Sequence, residues 1–298
     1  MSFSRFMRRN GYKYLILRCT TTGAYNYRDS EWNYSDIPHL NYVHTKVEGY
    51  SFYSDNERIV NMFMQKFGPF CIPVTNYIEH TDMKKHSYVM NILGMVVSVT
   101  TTHQNEDIIK AKTTTEYKFF YRNFLEKLLA IAIKFATRKN YKVLMSEDVP
   151  MRIQRGLLRK NKISFRSDKS NKIGFSETED LNKVNVDATN FFKLKKSFLV
   201  DINFKEEKKH IKELFLTVIN FNNQISLLGD ICQHEGANLS YEYDTKIKKC
   251  RTACPWHGKV ISPLLVINKS DRNNHKFTYL NQRFNVQIIS QGLLINII

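Results

Sequence analysis

Disulfide material is scarce in this chain. Five cysteines (Cys19, Cys71, Cys232, Cys250 and Cys254) among 298 residues cannot build the cross-linked framework of a small secreted domain. Long apolar runs are missing as well. Val89–Val99 is interrupted by Asn91, and Ile288–Ile298 contains Ser290, Gln291 and Asn296, so neither resembles the roughly 20 apolar residues of a membrane span. The basic start, Met1–Asn10, leads into a brief apolar stretch that reads as a strand, so no secretory signal is evident. A cytoplasmic location is the expectation. Repeats, low-complexity tracts and nucleic-acid-binding motifs are equally lacking. Acidic residues are outnumbered, 28 against 45 basic ones, for a formal charge of +17. Two readings stay open: attraction of an anionic partner, or a compositional bias toward lysine, asparagine and isoleucine. The basic residues are spread over Arg152–Lys172, Lys193–Lys209 and Lys246–Arg251, which does not suggest a nucleic-acid surface.

What is present is concentrated near the C-terminus. Cys232-Gln233-His234-Glu235-Gly236 and Cys254-Pro255-Trp256-His257-Gly258 each offer one thiolate and one imidazole, with nineteen residues between His234 and Cys254. A [2Fe–2S] cluster with one all-cysteine and one all-histidine iron needs this supply, a Cys and a His from each of two facing loops. Glycine after each histidine permits a tight turn. A structural zinc site also takes two Cys and two His, although zinc fingers usually pair Cys with Cys and His with His; unliganded core residues are the third reading. Cys250 reads as a spare thiol on the basic segment Lys246–Arg251.

The pattern C-x-H-x19-C-x-x-H, with its CPWHG run, resembles the Rieske iron–sulfur family, with a spacer lengthened around Tyr241–Arg251. The resemblance implies that Cys232, His234, Cys254 and His257 hold the cluster. Respiratory members of that family carry an extra cysteine in each loop and a Ser and Tyr after the second. Ala237, Trp256, Lys259 and Ile261 stand at the matching positions here, so the disulfide and those hydrogen-bond donors are missing. Fewer donors to the cluster lower its potential, which resembles the oxygenase and ferredoxin branch.

Composition (42% hydrophobic, 13% aromatic) and length allow two folded domains. Strands are expected at Phe198–Ile202, Leu214–Val218, Ile225–Leu228, Val260–Ile267 and Val286–Ile289, giving an all-β Rieske domain over 192–298. A polar connector is expected over 166–191. Within 1–165, strands are expected at Tyr12–Cys19, Val47–Tyr53, Tyr88–Thr101 and Thr113–Tyr121. They precede a helix with apolar positions Phe124, Leu128, Leu129, Ile131 and Phe135, and a second helix from Lys142 to Arg159. This resembles the START/SRPBCC-type helix-grip fold, whose cavity commonly holds an apolar ligand. The expected class is therefore α+β: a helix-grip domain followed by a Rieske domain. His80, His86, His103, His210 and His275 have no partner at ligand spacing and read as surface or loop residues.

Asp36-Ile37-Pro38-His39-Leu40-Asn41-Tyr42-Val43-His44 reads D-x2-H-x4-H. This resembles the Rieske non-haem iron oxygenases, where two such histidines and an aspartate from a late helix hold a mononuclear Fe(II). The run from Glu147-Asp148 to Gln154-Arg155-Gly156-Leu157 resembles that helix. The resemblance implies a facial triad of His39, His44 and Asp148, with Asp36 as the electron-transfer bridge to the cluster. It also implies a ferredoxin or flavin reductase as electron donor, O₂ and an apolar small molecule as substrates, and a homo-oligomer. An acidic donor would suit the positive charge. The domain order is reversed relative to the usual oxygenase. Residue geometry leaves another reading open. Five residues on an ideal helix end about 140° past a full turn, so His39 and His44 converge only if the helix is distorted. Otherwise Asp36 caps a helix, the histidines line a metal-free cavity, and Glu147 and Asp148 pair at the surface with Arg152 or Arg155. A Rieske electron-transfer or redox-sensing protein fused to a small-molecule-binding domain would then result.

Overall fold

A computed structural model of the chain describes residues 3–54, 58–67, 70–82, 84–107, 109–166, 184–192, 197–202, 208–221, 223–244 and 249–298. The described residues fall into two compact units, one ending at Leu157 and the other running from Leu158 to Ile298.

The first unit opens with a short helix α1 (Phe3–Arg9) and strand β1 (Lys13–Gly23), then α2 (Tyr27–Ser35) and α3 (Leu40–Val43). Six strands follow: β2 (Val47–Ser54), β3 (Arg58–Phe67), β4 (Phe70–Asp82), β5 (Lys85–Ile92), β6 (Met95–Asp107) and β7 (Lys110–Tyr121). The sheet is antiparallel in the order β1-β7-β6-β5-β4-β3-β2. A single long helix α4 (Phe124–Lys160) then follows. Seven antiparallel strands with a long closing helix are the helix-grip arrangement.

Alternation builds this sheet. In β6, Met95, Val97, Val99, Thr101 and His103 are buried while their neighbours are less so, as a strand with one face on a core requires. Val97, Val99 and Phe119 meet Ile59, Ile78, Ala130 and Ile133 in one apolar cluster. The expected strand Tyr88–Thr101 is in fact the hairpin β5–β6. Leu93 and Gly94 both have positive φ (52° and 79°), the two-residue turn that suits strand twist. Asn91 Oδ1 accepts the Gly94 N–H at 2.9 Å and steadies it. The two expected helices are one, α4, which continues through Pro150. Proline removes one helical hydrogen bond, but the turns beyond it are tied down by buried Arg152 and Arg155.

His86 and His103 correct the expectation of surface residues, for both are fully buried on the inner face of β5 and β6. Their rings lie 4.9 Å apart. Each has a hydroxyl partner: Ser30 Oγ is 3.0 Å from His103 Nδ1, and Tyr88 Oη is 3.2 Å from His86 Nδ1. The His80 side chain lies outside what the structure describes.

The second unit is nearly all β. β8 (Ser164–Phe165) pairs with β9 (Val186–Asp187), which precedes the short α5 (Thr189–Phe192). β10 (Ser197–Val200), β11 (Lys208–Ile211), β12 (Leu216–Phe221) and β13 (Gln224–Gly229) lead to β14 (Glu242–Asp244), β15 (Lys249–Ala253) and β16 (Val260–Ile261). β17 (Leu265–Asn268), β18 (His275–Tyr279), β19 (Gln282–Ile289) and β20 (Gly292–Ile297) complete the chain. The sheets run β10-β20-β19-β18, β11-β12-β13-β17 and β14-β15-β16. The expected strand Val260–Ile267 is divided, because Pro263 between β16 and β17 has no N–H for a ladder. Leu158, Ile163 and Phe165 pack into this unit's core with Leu214, Leu227 and Val286. Of the expected connector, 167–183 lies outside the described residues.

Candidate functional site

In the second unit, two loops close on their own cysteines. Gly236 N–H donates to Cys232 O at 2.9 Å, and Gly258 N–H donates to Cys254 O at 2.8 Å. Return bonds fix each base: Cys232 N–H to Ala237 O and Cys254 N–H to Lys259 O, both 2.8 Å. Gly236 has φ +92°, and a Cβ there would sit 2.7 Å from Leu158 Cδ1 and 3.1 Å from Phe165 Cε1. Glycine is thus required both by conformation and by the close approach of the core beneath.

All four chemical side chains of these loops, Cys232, His234, Cys254 and His257, are buried. Thiol meets thiol and imidazole meets imidazole. The two sulfhydryls hydrogen-bond, which lowers the Cys232 pKa and raises that of Cys254, and the His234 and His257 rings lie 4.7 Å apart. That sorting, cysteine pair beside histidine pair, is what one two-cysteine iron and one two-histidine iron require. A single zinc ion would instead gather all four ligand atoms around one point; Cys254 Sγ also lies 3.8 Å from His257 Nδ1. A second group of candidate metal ligands, a trio, lies in the first unit. No disulfide forms among the described residues, and Cys232 and Cys254 are free thiols.

That trio is His39, His44 and Asp148, whose ligand atoms all lie within 4.8 Å of one another. Local sequence explains the convergence. α2 is started by a capping box of Asn26 and Asp29 and ends at Asp36. Pro38 then sits in a single 3₁₀ turn, Ile37–His39, before the four-residue α3 ends at an extended His44. The path between the histidines is therefore no ideal helix, and their rings come within 5.2 Å. His39 Nε2 is 3.4 Å and His44 Nε2 is 3.2 Å from Asp148 Oδ1 on α4. His39 Nε2 is buried and makes no hydrogen bond among the described residues, so an electron-pair donor is left facing the centre of the trio.

Backing groups orient both rings. His44 Nδ1 lies 2.8 Å from Glu147 Oε2, and the other Glu147 oxygen accepts from Thr45 Oγ1 at 3.0 Å. His39 Nδ1 faces the backbone carbonyl of Asp36, and the buried Asp36 carboxylate is 3.9 Å away. Such partners hold the Nδ1 proton and turn Nε2 toward a metal. Asn33 Nδ2 donates to Asp148 Oδ1 at 3.2 Å, and Arg152 Nη2 lies 3.5 Å from Asp148 Oδ2. Burial alone would raise the Asp148 pKa, but contacts with His39 and His44 and the charge of Arg152 hold it well below the usual carboxylate range. Burial likewise favours neutral His44, yet Asp148 and Glu147 outweigh it and raise its pKa. Two imidazoles and a carboxylate with a low pKa are a donor set suited to a divalent transition metal.

Glu147 and Asn33 are the residues that sequence reasoning missed as partners of the trio. Asn33 stands one helical turn before Asp36, and Glu147 directly precedes Asp148, so adjacency was the available signal. Asp148 is buried rather than at the surface, and it pairs with Arg152 even so.

His39, His44 and Asp148 line a cavity of about 440 Å³, together with Leu40, Phe63, Ile78, Met90, Val99 and Leu144. The wall is thus mainly apolar around a polar trio, the composition usual for a small-molecule site. No helix among the described residues is long and apolar enough to cross a membrane.

Residues 192–263 match the family model of the Rieske [2Fe–2S] domain. No curated protein matches the chain significantly. Among solved structures, Zhui aromatase/cyclase from Streptomyces sp. R1128 is similar at 7% identity and TM-score 0.43, covering 50% of this chain and 96% of its own. A START superfamily protein from Mycobacterium smegmatis gives 6% identity and TM-score 0.34, over 45% of this chain and 99% of the other. Dicamba monooxygenase bound to 3,6-dichlorosalicylic acid gives 13% identity and TM-score 0.39, covering 49% of this chain and 51% of that one. Residues 192–263 thus carry a Rieske [2Fe–2S] domain, which follows the helix-grip unit in sequence.

Proposed function

We propose that the protein is a Rieske-type non-haem iron oxygenase that hydroxylates or demethylates an apolar organic substrate. The observation that supports this most is the convergence of His39, His44 and Asp148 on a cavity wall, in a chain that also carries Rieske ligand loops. Cys232, His234, Cys254 and His257 would hold the [2Fe–2S] cluster, and His39, His44 and Asp148 the mononuclear Fe(II). When bound, the cluster supplies single electrons and the iron supplies oxygen activation.

The chain's own residues do the rest. Glu147 accepts from His44 Nδ1–H and the Asp36 carbonyl from His39 Nδ1–H, so both rings keep one tautomer and one orientation. Arg152 and Asn33 fix the Asp148 carboxylate. The apolar wall excludes water and binds the substrate's hydrocarbon. Asp36, buried against His39, is the proposed bridge for electrons from the cluster. A ferredoxin or flavin reductase is the proposed donor, and the net charge of +17 suits an acidic one.

The satisfied surroundings of Asp148 favour a second reading. Both imidazoles, Asn33 and Arg152 already lie within 3.5 Å of it, as a metal-free cavity would need. The protein would then join a Rieske electron-transfer or redox-sensing domain to a small-molecule-binding domain. Iron and acid-labile sulfide in anaerobically purified protein separate the two. Three irons and two sulfides per chain, falling to two and two in His44→Ala with the cluster spectrum unchanged, is the result expected of the oxygenase. Two and two in the unaltered protein refutes it, and zinc without sulfide refutes the cluster as well.

A further inference from the structure

One residue of the cavity wall, Asn76, belongs to a polar pair that the trio does not use. β3 and β4 alternate, and their inward positions include Ile59, Asn61 and Phe63 on one strand and Val74, Asn76 and Ile78 on the other. Asn61 and Asn76 are direct cross-strand partners, so the two amides stand side by side on the same face. Asn61 is fully buried, and Asn76, 6% exposed, lines the cavity. Among the described residues, Asn61 Oδ1, Asn61 Nδ2 and Asn76 Oδ1 have no hydrogen-bond partner. Two buried amides destabilise the fold when left unpaired, and leucine of similar size would fill the same space without that cost.

We propose that Asn76, with its buried cross-strand partner Asn61, is the polar recognition point of the cavity. Its ligand is a neutral, mainly apolar molecule bearing a group that both donates and accepts hydrogen bonds, a hydroxyl or an amide. An amide pair presents N–H and C=O together, so a hydroxyl answers both, whereas an ether or ketone leaves the amide oxygens unpaired. A carboxylate is disfavoured because the described lining holds Asp36 and Asp148 but no Lys or Arg. The volume of about 440 Å³ equals roughly fifteen waters at ~30 Å³ each, room for a compact multi-ring skeleton. The inference rests on the cavity being a ligand site and needs neither the iron nor oxygen chemistry.

The test is fluorescence titration of the anaerobic full-length protein with phenanthrenol, its methyl ether and phenanthrene carboxylate. Phenanthrenol should bind about tenfold or more tightly than the ether, because a site built to pair a hydroxyl rejects its analogue, and the carboxylate should bind weakest. Asn76→Leu should bring alcohol and ether within about twofold while retaining ether binding, and Asn61→Leu should act in the same direction. Without ligand, both variants should melt at or above the wild-type temperature, since they remove unpaired amides. Equal binding of alcohol and ether by the unaltered protein overturns the inference, and that ratio decides even if a variant is unstable. A preference that survives both substitutions also overturns it. If none of the three probes binds, the cavity is not a ligand site and the inference falls with it, whereas the iron count above is untouched.

Discussion

Arg152→Met tests whether Asp148 is a carboxylate held in reserve for a cation. Arg152 is fully buried, its Nη2 lies 3.5 Å from Asp148 Oδ2, and Nε and Nη2 both donate to Asn33 Oδ1 at 2.9 and 2.6 Å. At that separation an effective dielectric of about 20 gives roughly 4–5 kcal/mol of attraction. Breaking one side of a buried pair typically costs about 3–5 kcal/mol, so the two figures agree. Methionine matches the arginine stem and takes a permanently charged partner from Asp148. In a unit of this size about 2–4 °C accompanies each kcal/mol, so iron-free protein should lose roughly 6–20 °C in the calorimetric transition of the helix-grip unit. Fe(II) should restore much of that loss, because a dication at Asp148 takes over from the guanidinium. Linkage is reciprocal, so Arg152→Met should bind Fe(II) roughly 5–150-fold more tightly than the unaltered protein in anaerobic titration. A transition within about 2 °C of wild type, or unchanged Fe(II) affinity, would refute the reasoning.

Two other outcomes are expected. Gly236→Ala places a Cβ at φ +92° against Leu158 and Phe165, which costs about 1–2 kcal/mol in backbone strain alone; purified protein should show reduced cluster absorbance, and full loading would contradict it. The cluster midpoint should lie on the order of −150 mV rather than +300 mV, since Lys259 and Ile261 replace the hydroxyl donors of respiratory relatives; a value above about +100 mV in a redox titration would show that other groups supply those bonds.

How far the sequence could be read depends on the range of each interaction. Cys232, His234, Cys254 and His257 were legible because their geometry is set inside two five-residue loops. His39 and His44 were legible by spacing, but ideal-helix geometry argued against their meeting; the 3₁₀ turn at Pro38 and the early end of α3 resolve that conflict. β3 and β4 were not foreseen, since Asn61, Gln65 and Asn76 interrupt the apolar alternation at inward positions. The break at Leu93-Gly94 was hidden because leucine is an unusual first residue for such a turn. His103 looked peripheral because its hydroxyl partners, Ser30 and Thr113, come from α2 and β7, and such pairing leaves no mark at helical or loop spacing; His86 looked so although its partner Tyr88 lies two residues along the same strand.

The helix α4 divides its duties along its length. Before Pro150, residues such as Leu129, Ile133, Ala136 and Leu144 face the cavity. After it, Arg152 bonds Asn33, and Arg155 bonds Asp29 at 3.2 Å and lies over the Trp32 ring. The seat of α4 against α2 is therefore anchored by a polar clamp in a different stretch of the helix from the one that shapes the pocket. Substitutions between Leu129 and Leu144 can enlarge or recontour the binding space while the clamp keeps the helix seated. A scaffold partitioned in this way can drift from one apolar compound to another without first surrendering its fold, and a directed change of substrate should begin on that stretch.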